Sequence, residues 1–330
     1  MPKFLKRINR NSLIWIIFIM ILMTVVLSIV LANVFVISLL SIKEWSYTMQ
    51  YLLIYYGYTI VDILMLVFIC LKIKENRFIF RSFLPSGMGK DHKTEVTEDT
   101  YKPSQNNTFK TLLIGMLIGT LTLSACVLCA VLHKDINLSF AFDASQIPMF
   151  ILAFLMVMMQ SSSEELWYRG FMYERINVHY PLWVSIAING VYFALLHTIL
   201  NSEIDLFALL SICISGISFS FLRWYSGSIW LVMGSHTMWN FTQSFIFGLP
   251  NSGTPADISL FHLGEVLNTA GSLFYDPGFG VEGALPSLIV DLLIIAVILL
   301  LAKKNGRFNE LFMSHEKKAS LESVESEKQS

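Results

Sequence analysis

The sequence predicts an all-α integral membrane protein, in which about eight transmembrane helices surround a polar intramembrane cavity. Of its 330 residues, 55% are hydrophobic and only 14% are charged, whereas soluble domains carry about 25% charged residues. Apolar runs of about 20 residues, which match the ~30 Å hydrocarbon core of a bilayer, recur along the chain. Ionisable and amide side chains are concentrated in three of these runs, and such groups are costly in lipid.

Eight apolar runs are long enough to cross a membrane. They cover residues 12–42, 48–72, 110–132, 147–175, 181–200, 205–223, 228–248 and 285–302. Basic residues precede the first run, as they do in a signal peptide. The run is too long for the apolar part of a signal, and no small-residue cleavage pattern follows it, so we interpret it as an uncleaved span.

Basic residues are concentrated in alternate loops, which predicts the orientation of the chain. With the N-terminus in the cytoplasm, the outer loops contain only Lys43 and Lys134 among the basic residues, together with many acidic ones. The remaining lysines and arginines fall in inner loops or at the inner ends of spans. By the positive-inside rule, both termini are cytoplasmic, and we expect the protein in the plasma membrane.

We divide the chain into four parts. Residues 1–146 hold three spans and a polar cytoplasmic loop, 147–248 hold four spans, 249–302 hold an outer loop and the last span, and 303–330 form a cytoplasmic tail. Polar composition predicts that 82–108 and 314–330 are poorly ordered. The stretch 249–284, with its glycines, prolines and aromatic residues, is a candidate cap for the outer face.

Several polar or sulfur-containing residues in the spans have an ordinary structural interpretation. The four cysteines Cys70, Cys126, Cys129 and Cys213 all lie in apolar runs. Cys126 and Cys129 form a Cys-x-x-Cys pattern, but no second pair is nearby, so we interpret them as small buried residues rather than a redox or zinc site.

Three single polar residues, Asn33, Asp62 and Asp291, also lie within spans. Each is isolated in the sequence from the other polar groups. A lone aspartate in a span is either a proton or ion site or the partner of a neighbouring helix, and we favour the structural role for each.

The densest polar group follows the apolar run 147–159. Three serines precede Glu164 and Glu165, and Arg169 follows. On a helix, Glu165 and Arg169 lie four residues apart on one face and can form an ion pair. Glu164 lies about 100° round the helix and points elsewhere. The spacing therefore predicts one carboxylate with a structural role and one that is free for chemistry.

Two later spans carry pairs of residues at helical spacing. His197 follows Phe193 by four residues, and Asn240 follows His236 by four, so each pair lies on one helix face. Taken singly, each has an ordinary explanation as an interhelical hydrogen bond. Taken together with the glutamates, they predict a shared site, because polar groups in lipid must find partners and these are each other's nearest candidates.

The three patterns Glu-Glu-x-x-x-Arg, Phe-x-x-x-His and His-x-x-x-Asn, in this order, resemble the CPBP family of intramembrane endopeptidases. This is the CAAX-protease and bacteriocin-processing family, also called Abi, and the resemblance covers about residues 147–245. It implies a protease that cleaves protein or peptide substrates in the bilayer, without nucleic acid. The implied roles are Glu164 as general base, His197 as a water ligand, His236 and Asn240 as oxyanion donors, and Glu165, Arg169 and Phe193 as supporting residues.

Elementary chemistry agrees with these implied roles. Hydrolysis of a peptide bond needs a base for water and hydrogen-bond donors where the oxyanion forms, each donor being worth ~3 kcal/mol. The resemblance implies no metal. The rival interpretation is zinc held by Glu164, His197 and His236, since zinc takes such ligands and leaves one position for water. The chain has no His-Glu-x-x-His pattern.

One geometric difficulty follows from the predicted spans. Glu164 lies near the inner end of its span and His197 near the outer end of the next, a difference in depth of roughly 10 Å at 1.5 Å per residue. A long, tilted helix continuing to about Ile176, or an offset following span, would bring the two side chains level.

Relatives of this family suggest several roles. Bacterial ones are linked to peptide or bacteriocin processing, self-immunity and surface-protein processing, and the composition weakly favours such a source over one with prenylated substrates. Two interpretations of other classes stay open. One is a non-proteolytic bacteriocin-immunity or scaffold protein with the same fold. The other is a transporter with Asp62 and Asp291 on its pathway, although no internal repeat is present.

Overall fold

The computed structural model describes residues 59–60, 63–64, 66–67, 82–86, 106–200, 205–251, 256, 258–267, 272–314 and 317. The predicted span 12–42 and most of 48–72 lie outside the described residues. So do most of the two segments predicted to be poorly ordered, and Asn33, Asp62 and Cys70.

Within the described residues the chain is mostly helical. The helices are α1 (Phe109–Leu132), α2 (Ile147–Glu165), α3 (Tyr173–His179), α4 (Leu182–Leu200), α5 (Leu206–Ser226), α6 (Ile229–Phe241) and α7 (Leu285–Lys304), and the strands are β1 (Ile136–Phe140) and β2 (Phe261–Val266). Two π-helical segments, Leu166–Met172 and Thr242–Ile246, continue α2 and α6.

Four helical segments of the described chain are long and apolar enough to cross a membrane. They are α1, the continuous segment Ala144–His179, α5 and α7, while α4 contains the shorter apolar stretch Leu182–Thr198. The prediction of long, apolar helices is confirmed for these segments. The total of about eight spans and the polar cavity stay predictions.

The helical segment that contains the two glutamates is unusually long. Asp143 caps its start by accepting a hydrogen bond from the Ser145 amide at 2.9 Å. The segment continues for 36 residues through the π-helical turn to His179. It ends at Tyr180, which is extended (φ −112°, ψ 153°) because the following Pro181 disfavours helical backbone. The helix therefore passes Ile176, as the site geometry requires.

The antiparallel packing of α4 against this long segment brings the predicted site residues to a similar depth. The Ser185 hydroxyl donates to the Tyr173 carbonyl at 2.6 Å, and the Asn189 amide donates to the Tyr168 carbonyl at 2.9 Å. Continued along both helices, this register places Phe193 level with the two glutamates and His197 one turn beyond. The depth difference expected from the span boundaries is therefore reduced to about one helical turn.

A two-stranded antiparallel sheet corrects the all-α prediction. β1 pairs with β2, with Leu138 opposite Leu263 and Phe140 opposite Phe261. Residues of both strands pack with Leu123 of α1 and with Tyr275 of the stretch 249–284, which thus covers one end of α1. The sequence does not reveal the pairing, because the strands are far apart in the chain and no hairpin turn joins them.

The helices α1 and α6 approach each other closely at three glycines, Gly115 and Gly119 of α1 and Gly234 of α6. A Cβ atom on Gly115 would lie 1.9 Å from the Leu231 carbonyl oxygen, and one on Gly119 would lie 2.1 Å from that of Ser235. Only glycine permits this backbone contact, and the Gly-x-x-x-Gly spacing puts both residues on one face of α1. The contact fixes the position of α6, which carries His236 and Asn240.

The two ends of the segment 82–108 are structured, unlike the prediction for this loop. The Asn107 side chain donates to the carbonyls of Ser82 (2.6 Å) and Leu84 (2.9 Å), and its oxygen accepts from the Ile229 amide at 3.0 Å. Asn107 is buried. Its contacts tie the start of α6 to the loop, because the first amides of a helix need external acceptors.

The helices meet the loops at two ends of opposite charge. We call one the basic end, where the Asn106 amide donates to the Gly227 carbonyl (3.0 Å) and Arg307 donates to the Tyr225 carbonyl (2.9 Å). Its basic residues are Lys110, Arg175, Arg223, Lys303, Lys304 and Arg307. We call the other the acidic end, and its acidic residues are Asp135, Asp143, Asp205, Asp276 and Glu282.

Candidate active site

Glu165 is the buried centre of the candidate site. Its side chain has no exposed surface, and its Oε1 accepts hydrogen bonds from Arg169 Nη1 at 2.9 Å and from His236 Nδ1 at 2.8 Å. The ion pair expected from the spacing of Glu165 and Arg169 is therefore present. The contact with His236 joins α2 to α6, and it is long-range, so the spacing alone does not predict it.

Arg169 is surrounded by groups that hold its charge inside the protein. It is fully buried, and its Nη2 donates to the Gly216 carbonyl of α5 at 2.9 Å. Its guanidinium carbon lies 5.6, 5.0 and 5.3 Å from the ring centres of Tyr168, Phe193 and Phe219. Cation–π attraction of this kind supports a desolvated arginine. Sequence reasoning identified Phe193 but not Tyr168, Gly216 or Phe219.

Glu164 has a different environment from its neighbour. About a quarter of its side chain (26%) is exposed, and its Oε2 lies 3.9 Å from His236 Nε2. Its other oxygen, Oε1, accepts a hydrogen bond from Gln160 Nε2 one turn earlier. The His236 ring therefore lies between two carboxylates, with Nδ1 bonded to Glu165 and Nε2 facing Glu164. The separate directions expected for the two glutamates are observed.

The His236 ring is also held by aromatic contacts. It stacks on Phe219 with a centroid distance of 5.3 Å and an interplanar angle of 29°, and it meets the edge of Phe193 at 6.2 Å. Phe219 lies on α5 and Phe193 on α4. Three helices thus fix the orientation of one imidazole.

His197 joins the site through Phe193. Its Nδ1 donates to the Phe193 carbonyl at 2.8 Å, and the two rings are 4.7 Å apart. Phe193 therefore contacts both imidazoles, and the Nδ1 bond leaves Nε2 of His197 for another partner. Among the residues described by the structure, His197 makes no hydrogen bond to either glutamate.

Asn240 lies one turn after His236 on α6 and faces α2. It is 9% exposed, and its Nδ2 donates to Ser161 Oγ at 3.4 Å. Ser161 has no exposed surface. His236 and Asn240 of α6 thus contact α2 on either side of Glu164, through Glu165 and Ser161.

Of the three single polar residues noted in the spans, Asp291 is among the described residues. Asp291 is buried and accepts a hydrogen bond from Ser215 of the neighbouring α5, as a structural aspartate does. Cys126, Cys129 and Cys213 are free thiols. Cys129 is exposed on α1, so it is not the buried residue that the sequence predicts.

The arrangement of the site residues does not form a metal cage in the described part of the chain. No three histidine, cysteine, aspartate or glutamate side chains there are placed to hold one metal ion. His236 Nδ1 is bonded to Glu165, and His197 Nδ1 is bonded to a backbone carbonyl. Both bonds use Nδ1 and leave Nε2 of each ring for another partner, so zinc stays the rival interpretation of the site.

The segment that holds the site matches a known protein family. Residues 145–242 match the family model described as type II CAAX prenyl endopeptidase Rce1-like. This match supports the CPBP/CAAX protease family for the segment. The match covers less than a third of this chain. It includes all seven residues of the three sequence patterns. A comparison with curated proteins finds no match.

The match to the CAAX protease family indicates the general class of activity. The family name is that of an endopeptidase, so the chain is assigned as a membrane protease with a peptide or protein substrate. The apolar helices agree with an integral membrane protein. The matched segment begins at α2 and ends just after Asn240, so the family pattern and the polar cluster are the same region.

Proposed function

We propose that this protein is an intramembrane endopeptidase of the glutamate type, with Glu164 as the general base. The observation that carries the proposal is the difference between the two glutamates. Glu165 is buried and occupied by Arg169 and His236, whereas Glu164 is partly exposed and keeps Oε2 directed towards His236 Nε2. A base must reach both water and substrate, and Glu164 meets this requirement.

In the proposed reaction, a water molecule is held between Glu164 Oε2 and the His197 imidazole. The carboxylate takes a proton from the water as the water oxygen bonds to the carbonyl carbon of the substrate. The carbonyl oxygen becomes an oxyanion. When the tetrahedral intermediate collapses, the carbon–nitrogen bond breaks and Glu164 returns the proton to the leaving amine nitrogen. Glu164 ends the cycle as a carboxylate.

His236 and Asn240 are the proposed donors to the oxyanion. The Asn240 amide has two hydrogens, and Ser161 accepts only one. His236 presents Nε2 towards Glu164, because its Nδ1 is bonded to Glu165. Donors fixed in advance in a site of low dielectric give the largest benefit at the transition state.

His197 is the proposed second ligand of the water. The backbone bond at Nδ1 fixes the tautomer in which Nε2 is an acceptor for a water hydrogen. Phe193, Glu165 and Arg169 support the site by packing, ion pairing and orientation. The carboxylate and the two imidazoles perform these steps without a cofactor.

The proposed setting is the plasma membrane, with both termini in the cytoplasm. The proposed substrates are peptides or proteins processed at this membrane, such as bacteriocins, immunity-related peptides or surface proteins. Because the site is enclosed by helices, the scissile bond must enter from the membrane or its surface.

The experiment compares membranes of cells that express the wild type and Glu164→Gln, with new peptide N-termini labelled and identified by mass spectrometry. We expect termini that appear with the wild type and are absent with Glu164→Gln at equal expression. Identical sets of termini would contradict a protease. The peptide that spans the strongest site then serves as a quenched fluorescent substrate, beside a farnesylated CAAX peptide.

Metal dependence is tested on the same purified full-length protein. We expect zinc well below one equivalent per chain and unchanged cleavage after incubation with EDTA, because the described site offers no set of three ligands. A hydrolytic zinc site needs three protein ligands and one open position. One equivalent of zinc that is lost in His197→Ala or His236→Ala, together with activity, would favour the metal mechanism instead.

A further inference from the structure

A chain of side-chain hydrogen bonds connects the two halves of the proposed site. Asn240 Nδ2 donates to Ser161 Oγ at 3.4 Å, and Ser161 Oγ donates to Gln160 Oε1 at 3.3 Å. Gln160 Nε2 then donates to Glu164 Oε1. The proposed oxyanion donor and the proposed base are therefore joined through two residues that lie outside the three sequence patterns.

The chemistry of the four groups gives this chain one direction. A carboxylate only accepts hydrogen bonds, so the Gln160 amide must turn its nitrogen towards Glu164 and its oxygen towards Ser161. The Ser161 hydroxyl then donates to that oxygen and accepts from the Asn240 amide. Each donor meets an acceptor, and no member of the chain can be reversed alone.

We propose that Gln160 and Ser161 are positioning residues, which hold the Glu164 carboxylate and the Asn240 amide in register for peptide hydrolysis. This inference rests on the proposed function. Gln160 occupies Oε1 of Glu164 and so directs Oε2 towards His236, at 3.9 Å from its Nε2. Ser161 Oγ accepts a hydrogen bond from one N–H of the Asn240 amide, and the second N–H remains for the oxyanion.

Ser163 shows that a serine at this level of α2 need not join the network. Its side chain is buried like that of Ser161. Its hydroxyl, however, donates to the Gln160 backbone carbonyl at 2.8 Å, within its own helix. Ser163→Ala is therefore a matched control, with the same atom removed from the same helix and no contact with the side-chain network broken.

The test measures kcat and KM of the purified full-length protein on the quenched peptide that spans the cleavage site found in membranes. We expect Gln160→Met, which keeps the volume of the side chain, to lower kcat about 10- to 100-fold, because a hydrogen bond to a charged group is lost. KM changes by less than about 2-fold, because the network does not bind substrate in the ground state.

The Ser161 variants add a rescue and a coupling test. Ser161→Ala is expected to lower kcat similarly, and Ser161→Thr, which keeps the hydroxyl, to restore it. The double variant Gln160→Met, Ser161→Ala loses little more than either single variant, because the two residues act as one unit. Ser163→Ala keeps the wild-type kcat. A merely structural role would lower thermal stability without this pattern.

The outcomes separate this inference from the proposed function. If Glu164→Gln is inactive while Gln160→Met and Ser161→Ala keep the wild-type kcat, the positioning role is overturned and the proposed function stands. If Glu164→Gln cleaves normally, both are overturned. If Gln160→Met does not fold, the Ser161 pair decides, since equal kcat for Ser161→Ala and Ser161→Thr overturns the proposal.

Discussion

Two adjacent glutamates have opposite surroundings in this site, and this difference determines what each can do. Glu165 and Arg169 are both fully buried, and the ion pair between them is completed by His236 and the Gly216 carbonyl. Removing one member would leave the other charge buried without its partner. Glu164 is partly exposed and has a single described side-chain donor, Gln160, so its replacement by an isosteric amide disturbs the packing little.

The first prediction concerns the Arg169 ion pair. We expect Arg169→Met to lower the free energy of unfolding by about 3–5 kcal/mol, because Glu165 is then a buried charge without its main partner. Thermal unfolding in detergent micelles measures the loss. The double variant Glu165→Gln, Arg169→Met is expected to recover part of it. An unfolding midpoint equal to that of the wild type would contradict this account of the pair.

A second buried ion pair provides a control for the effect of Arg169→Met on cleavage. Arg223 donates to Glu174 at 2.6 Å at the basic end, and both side chains are 2% exposed. Arg223→Met should destabilise the protein similarly. Cleavage per folded molecule should stay near the wild-type value, because this pair does not contact the site. Arg169→Met should lose both stability and cleavage.

At the residue scale, the sequence predicts what lies within one helix. The spacing of Glu165 and Arg169 is enough to predict their pair, since residues four apart are neighbours on a helix. The bond from His236 to Glu165 and the rings around Arg169 depend on how α4, α5 and α6 pack. Gln160 and Ser161 are recognisable in the sequence as polar residues in an apolar run. Their hydrogen-bond partners depend on how the helices pack, so the sequence does not predict them.

At the scale of elements, the position of α6 decides whether the site is assembled. α6 carries His236 and Asn240, and its backbone touches that of α1 through Gly115 and Gly119. Gly119 lies against the Ser235 carbonyl, one residue before His236. In the helix that carries the glutamates, a π-helical turn begins directly after Glu165. Such turns are frequent at functional sites.

The second prediction concerns this helix contact. A Cβ at position 119 would lie 2.1 Å from the Ser235 carbonyl oxygen, so Gly119→Ala must push α6 away. We expect a loss of about 1–3 kcal/mol in unfolding free energy, as for other overpacked contacts, and a loss of cleavage. Leu117→Ala is the control on α1, because Leu117 is 58% exposed. Equal effects of the two substitutions would contradict the contact.

Elements were predicted from hydrophobicity with uneven success. α1, α5 and α7 begin and end within a few residues of the apolar runs, because length and hydrophobicity define a membrane helix. The strands were missed because their pairing is non-local. The long helical segment Ala144–His179 ends within a few residues of the predicted end at 175–176, although it continues along polar residues after Met172.

At the scale of the whole molecule, the distribution of charge gives the helical bundle a direction. The ends of α5 and α7 and the starts of α1 and α4 meet at the basic end, where Leu182 donates to the Met313 carbonyl at 3.3 Å. The sheet and the loops around Tyr275 lie at the other end. By the positive-inside rule, we predict that the basic end faces the cytoplasm.

The third prediction tests this orientation in intact cells. The four native cysteines are replaced by serine or alanine, and one cysteine is introduced at the exposed Ser139 in β1 or at the exposed Lys304 in α7. A membrane-impermeant maleimide should label Ser139→Cys in intact cells and Lys304→Cys only after lysis. The reverse pattern would place the termini outside the cytoplasm and reject the predicted orientation.

The central claim is tested most directly by the cleavage rate of the purified Glu164→Gln protein. The substitution keeps the size of the side chain and removes only its capacity to take a proton. On the peptide that spans the cleavage site, we predict that kcat/KM falls by at least about 100-fold, with a thermal unfolding midpoint close to that of the wild type. A Glu164→Gln protein that cleaves at the wild-type rate would contradict the account.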